Sequence, residues 1–262
     1  MRRFAPVRAS LIALAILASA PQLSRAGDTA VPKPSSPSAS SNIVIGFVGG
    51  FVGHENQRHG PVVLATQIRR VVPPDTFVQV FENRRRKSAY NTVLRLLDLN
   101  HDGVLSTEEK IGARIILFGH SWGASAAVLL ARDLRRQGIP VLLTVQVDSV
   151  AKVWQNDSVI PDNVAEAVNF YQTEGIIHGR PQIVAADPRR TKIIGNYRMD
   201  YKKDPVSCPE ASWWYRVFEP GHMQSECDPH LMVRIQTMVS QRLSPEPASA
   251  AVSPAPSQQP GH

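Results

Sequence analysis

Five short runs along the chain carry the apolar pattern of strands buried on both faces: "NIVIGFV" (42–48), "TFVQVF" (76–81), "ARIILFG" (113–119), "PVLLTVQV" (140–147) and "AVNFYQT" (167–173). Each is rich in β-branched or aromatic residues and bounded by Gly, Pro, Asn or Asp, and several are apolar at consecutive rather than alternate positions. Between them the period lengthens to that of a helix. "PVVLATQIRRVV" (61–72) opens on a proline suited to a first helical position, "KSAYNTVLRLL" (87–97) places Ala89, Val93, Leu96 and Leu97 on one face, and "GASAAVLLARDLRRQG" (123–138) stops at Gly138, a natural C-cap. A last helix is expected near 229–242. Strand and helix in alternation predict βαβ units with right-handed crossovers. The domain, residues 42–243, is therefore expected to be a three-layer α/β fold: a mostly parallel sheet with helices on both faces.

The ends of the chain read differently. Residues 1–26 hold Arg2, Arg3 and Arg8, then an apolar run from about Ala9 to Ala20, then small residues up to "SRA" before Gly27. That is the layout of a secretory signal peptide, too short in its apolar part to span a bilayer comfortably. The expectation is an exported protein, periplasmic or secreted, with no stable membrane span after cleavage. Residues 27–41 are a Pro/Ser-rich linker, and 244–262 a Pro/Ala/Ser tail expected to be disordered.

Export changes the charge balance. The whole chain carries +7, but four arginines and no acid precede Gly27, which leaves 25 basic against 22 acidic residues, a net of +3. Nothing in that calls for nucleic acid, and "RRRK" at 84–87 reads as the solvated start of a helix rather than a binding patch. Two cysteines, Cys208 and Cys227, most simply form one disulfide in an oxidising compartment, stabilising by roughly 3 kcal/mol for a loop of that size.

The candidate chemistry begins at "ARIILFGHSWGASAAVLLARDL", a buried strand, then G-x-S-x-G at Gly119, Ser121 and Gly123, then a helix. Glycines flanking a sharp strand-to-helix turn remove side chains that would collide with the neighbouring strand and helix. Ser121 is then held at the sheet's C-terminal edge beside a helix N-terminus, where developing negative charge is favoured. In this context the sequence resembles the α/β-hydrolase superfamily (esterase, lipase and thioesterase-like enzymes) over most of residues 42–243.

The resemblance implies further roles. "VIGFVGGF" stands where such enzymes keep an oxyanion loop, so the N–H groups of Phe51 and Trp122 are the expected donors, although Gly49 stands where the family commonly has histidine. The family's chain order, serine then acid then histidine, nominates Asp148 at the end of "PVLLTVQV", with Glu174 and Asp187 as later alternatives. His222, in a loop after "PG", is the preferred base over His178, His230 and His262. His120 is expected to pack or bond locally. The aromatic run "SWWYRVF" (212–218) fits an acyl-pocket wall, a lid or plain core equally well.

Upstream of the serine, Asp98, Asn100, Asp102, Gly103 and Glu109 match D-x-[DN]-x-[DN]-G-x5-E throughout. This resembles an EF-hand calcium loop, 98–109, with oxygen ligands from Asp98, Asn100, Asp102, the Val104 carbonyl, Ser106 and bidentate Glu109. The incoming helix is present, the outgoing one is reduced to "STEEKIG", and no second loop pairs with it. One structural Ca2+ is therefore expected, clamping the root of the strand that carries Ser121, with no organic cofactor.

The functional expectation is a serine hydrolase acting on a small-molecule or lipid acyl ester, or a thioester, through an acyl-enzyme on Ser121. The rivals are a serine peptidase and a non-catalytic calcium-binding or interaction protein on the same scaffold. Acyl chain length and oligomeric state are left open.

Overall fold

The computed structural model describes residues 41–210 and 220–244. The expected signal peptide, all but the last residue of the linker, the aromatic run 212–218, and the tail after Ser244 with His262 lie outside them.

Within them the chain runs β1 (Ser41–Val48), α1 (Gly60–Ile68), β2 (Phe77–Glu82), α2 (Arg86–Leu97), α3 (Thr107–Ile111), β3 (Ala113–His120), α4 (Trp122–Arg135), β4 (Val141–Val147), β5 (Val159–Ile160), β6 (Val164–Tyr171), β7 (Val184–Ala185), β8 (Lys192–Arg198), α5 (Pro220–Cys227) and α6 (Pro229–Leu243). Six strands form one sheet in the order β2-β1-β3-β4-β6-β8, parallel throughout, while β5 and β7 pair separately.

Consecutive apolar residues in β1 and β3 are explained by this arrangement. Ile43, Ile45 and Phe47 join Ile115 and Leu117 in a core with Val93 and Leu97 of α2 and Leu130 and Leu134 of α4. The intervening Val44, Val48, Ile116 and Phe118 face the other way, onto Leu64 and Ile68 of α1 and Ile235 and Val239 of α6. Both faces of the central strands are dry, the condition an all-parallel sheet requires. This is the three-layer α/β architecture expected from the pattern.

Differences from expectation are local. β8 ("KIIGNYR") is an additional strand at the edge of the sheet; its residues are only partly buried, so it shows no continuous apolar run. β6 begins earlier than expected and ends at Tyr171. Gly138 does cap α4's exit, at φ 71°, and Ile139 N–H donates to Leu134 O across the turn.

The strand order reverses direction between β1 and β3, and in open parallel sheets the crevice beyond the C-terminal ends of such a pair is where ligands bind. The C-terminal ends of β1 and β3 deliver Gly49 and Ser121.

Candidate active site

Ser121 occupies φ 56°, ψ −128°, a region that costs a residue with a Cβ on the order of 1–3 kcal/mol. The surroundings hold it there. A Cβ on Gly119 would sit 2.4 Å from the Gly123 backbone, and one on Gly123 would sit 2.2 Å from Phe47 O of β1. The elbow therefore closes only with glycine at both places. Ser121 N–H donates to Val147 O of β4 at 3.0 Å, which extends the β3–β4 ladder past the last strand residue.

That same register brings in the candidate acid. Val147 pairs with His120 on one side and Phe170 on the other, so Asp148, the next residue, emerges beside Ser121. Its carboxylate is fully buried and accepts hydrogen bonds from Gly179 N (2.6 Å), Gln172 N (3.2 Å), Gln172 Nε2 (2.7 Å) and His222 Nδ1 (2.7 Å). Burial alone would push the Asp148 carboxyl up, but the bond from His222, the charge of that ring and the Gln172 amide outweigh it and hold the carboxyl below its ordinary value. An ionised carboxylate only accepts, so His222 donates from Nδ1, and it is the neutral form of that tautomer that carries a lone pair on Nε2.

His222 is carried by helix α5, not by a loop; Pro220 and Gly221 lie in its first described turn. The disulfide Cys208–Cys227, with Cα atoms 5.7 Å apart, ties the end of that helix to the preceding segment. Beneath His222 lies His120, ring centroids 4.6 Å apart, whose Nε2 donates to His222 O and Ser225 Oγ, both at 3.2 Å. Burial pushes the His120 imidazole down to about 4, only partly opposed by the charge of Glu226, so it stays neutral. It supports the ring above it and is bonded locally.

The remaining candidates stand elsewhere. Glu174 accepts from Lys202 N at 3.0 Å, and Asp187 is bonded to the backbone and guanidinium of Arg189. His178 and His230 are exposed. None of these four has a described bond to Asp148, His222 or Ser121.

At the turn expected to supply oxyanion donors, a Cβ on Gly49 would lie 2.9 Å from Ser121 Cβ, so the β1 turn comes up close against the serine. Gly50 adopts φ 47°, and its carbonyl accepts from the buried Asn83 Nδ2 at 2.6 Å. In a trans peptide the N–H of Phe51 therefore points away from Asn83. Trp122 is the first residue of α4, so its N–H has no intrahelical acceptor. The Phe51 and Trp122 rings meet edge to face at 5.4 Å, with Phe51 largely exposed. Sequence reasoning missed Gln172, Gly179, Asn83 and Lys152, which donates to Asn83 Oδ1 at 2.7 Å. No local signal marks them, because topology brings them in from three separate connections: Asn83 after β2, Lys152 between β4 and β5, and Gln172 and Gly179 between β6 and β7.

The loop 98–109 sits at the opposite end of β3. Asp98 accepts from Asp102 N (3.1 Å) and Gly103 N (3.0 Å), Asn100 Oδ1 from Asp102 N (3.1 Å), and Asp102 from Val104 N (2.7 Å). Glu109 accepts from Leu99 N and Ser106 N, both at 2.8 Å, and with Ser106 forms a capping box on α3, which supplies one short turn of outgoing helix. These bonds, first those from Ser106 and Leu99, lower the Glu109 carboxyl from its ordinary value. The donor set is all oxygen and suits a hard cation. Among the described residues no three His, Cys, Asp or Glu side chains are already grouped to hold a metal ion.

No family model and no curated protein matches the chain. Similar solved structures include a thermostable esterase from Pseudomonas putida ECU1011 (9% identity, 82% of this chain and 78% of that chain, TM-score 0.43). Two others are the RedJ thioesterase of the prodiginine pathway in Streptomyces coelicolor (12%, 82% and 96%, 0.41) and a cutinase-like protein from Cryptococcus sp. (12%, 79% and 97%, 0.39). At these identities and scores the likeness assigns neither family nor activity to this chain.

Proposed function

We propose that this protein is an exported serine hydrolase cleaving a carboxylic ester or thioester. The observation that carries the reading is the buried Asp148–His222 pair, bonded at 2.7 Å, at the sheet edge where Ser121 is held in a strained backbone conformation. Ser121 Oγ attacks the acyl carbon while His222 Nε2 takes its proton. Asp148 fixes the tautomer and stabilises the imidazolium, and the N–H groups of Trp122 and Phe51 receive the negative oxygen. The imidazolium returns the proton to the departing alcohol or thiol. Water, deprotonated by the same nitrogen, then cleaves the acyl-enzyme to a carboxylic acid and free serine.

The test is hydrolysis of p-nitrophenyl butyrate, with aminoacyl p-nitroanilides as the peptidase comparison. Ester turnover that falls to background in Ser121→Ala is the expected result. Turnover unchanged by that substitution would remove the assignment.

Calcium belongs to the same reading, as a structural ion held by Asp98, Asn100, Asp102, the Val104 carbonyl, Ser106 and Glu109. Chelation with EDTA is expected to lower the Tm, and added Ca2+ to restore it. A Tm indifferent to both would leave the loop as a turn closed by its own hydrogen bonds.

A further inference from the structure

Immediately beside the serine turn, Asn83, Arg84, Arg86, Lys87, Trp122 and Lys152 line a cleft of about 260 Å3. It shares with the catalytic edge Trp122, the residue that follows Ser121, and it includes three of the four residues of the basic run 84–87. That run reads in the sequence as a solvated helix start. In the structure a short turn, Asn83–Arg85, precedes α2 and brings Arg84, Arg86 and Lys87 around the opening.

The cleft holds four cationic side chains and no carboxylate among its lining residues. Of the four, only Arg86 has an ion pair among the described residues, with Asp133 at 3.0 Å. Lys152 is half-buried, lies 4.9 Å over the Trp122 ring, and donates to the neutral Oδ1 of Asn83. Asn83 is buried, and its Nδ2 donates to Val48 O and Gly50 O of the oxyanion turn. The ammonium is therefore placed by a fixed amide rather than left on a free tether. A concave surface lined by uncompensated positive charge focuses potential on its interior, and charge-assisted bonds there are about twice as strong as neutral ones. The volume admits a small anionic group with its linking atoms, less than a whole drug-sized ligand occupies.

We propose that this cleft receives an anionic group, a carboxylate or phosphate, carried by the substrate, so that the preferred substrates are acidic esters. The proposal rests on Ser121 being the nucleophile. It adds that selection among esters is made by the Arg84, Lys87 and Lys152 cations one step from the reacting carbonyl.

The experiment compares kcat/KM for matched pairs in two arms. In the acyl arm, mono-4-nitrophenyl glutarate is set against its methyl ester. In the leaving-group arm, 4-acetoxybenzoate and 4-acetoxyphenyl phosphate are set against methyl 4-acetoxybenzoate. The anionic member is expected to win by about tenfold in at least one arm, the effect of one well-formed charge-assisted bond. The ratio is expected to shrink towards one in the Arg84→Gln/Lys87→Gln variant and, independently of any substitution, in wild type at high salt. Ser121-dependent hydrolysis with no anionic preference in either arm overturns the cleft assignment and leaves the hydrolase standing. If no ester is hydrolysed through Ser121, the hydrolase reading fails, and titration of phenyl phosphate decides the cleft. Saturable binding weakened in the variant supports an anion site; no binding overturns it.

Discussion

At its N-terminal end β3 is fed by a loop whose acidic side chains, half-buried at Asp98 and Glu109 and exposed at Asp102, are bonded to that loop's own backbone. At its C-terminal end β3 delivers Ser121 beside a buried cluster drawn from the residue after β4, the β6–β7 connection and α5. The entry end is closed by contacts within a dozen residues. The exit end joins residues as far apart as His120 and Ser225, 105 positions along the chain. The first can be read as a continuous motif but shows by itself no assembled chemistry. The second has assembled geometry but no continuous motif beyond the five residues around Ser121. A strained, desolvated site must be over-determined by distant packing, whereas a capped turn can be written locally.

The largest effect expected from breaking this contrast is at the exit. Asp148→Asn should lower kcat by about 10⁴-fold, because the amide favours the wrong imidazole tautomer. Glu174→Gln, which alters a carboxylate bonded to Lys202 N and keeps every described bond of Asp148, should leave kcat within about threefold. Equal losses in the two variants would move the acid away from Asp148.

Next in size is a pH effect confined to the exit end. His120 is held neutral in the folded protein, with its pKa pushed down to about 4, while in the unfolded chain it titrates near 6.5. Between those values the unfolded state binds more protons. Stability should therefore fall as pH drops from about 6.5 to about 4, by about 3 kcal/mol at most. Denaturant titrations across that window should show the slope in wild type and a flatter one in His120→Gln. Below it, the lowered carboxyls of Asp148 and Glu226 take over the loss. A slope unchanged by His120→Gln would mean that the ring is not the group being titrated.

The smallest effects should have opposite signs at the two ends. Ser121→Gly relieves a backbone conformation that a side chain resists, and should stabilise by about 1 kcal/mol, or about 2–4 °C in Tm, while abolishing turnover. Gly103→Ala, at φ 80° with open space around a new Cβ, should destabilise by about 1 kcal/mol for conformational reasons alone and spare the exit end. Thermal melts of both variants check the pair; a loss of stability in Ser121→Gly would argue that the serine's conformation is not strained.

These particulars also show what was legible in advance. β1 to β4 announce themselves because both faces are buried, and Gly119 and Gly123 because their neighbours leave no room for a side chain. Asp148 is visible as the residue after an apolar strand. β8 is not, since an edge strand mixes Lys, Asn and Arg with its apolar residues. The helix under His222 is hidden by a Pro-Gly pair that reads as a turn. Gln172, Asn83 and Lys152 have no local signature at all, because their roles exist only once the sheet register sets three connections side by side.

The central claim, that Ser121 is a nucleophile activated by the Asp148–His222 pair, is tested most directly by fluorophosphonate labelling followed by intact-protein and peptide mass spectrometry. The account predicts one adduct per chain, located on Ser121, absent in Ser121→Ala and strongly slowed in Asp148→Asn. A folded protein that takes up no label, or takes it up equally without the Ser121 hydroxyl, would contradict it.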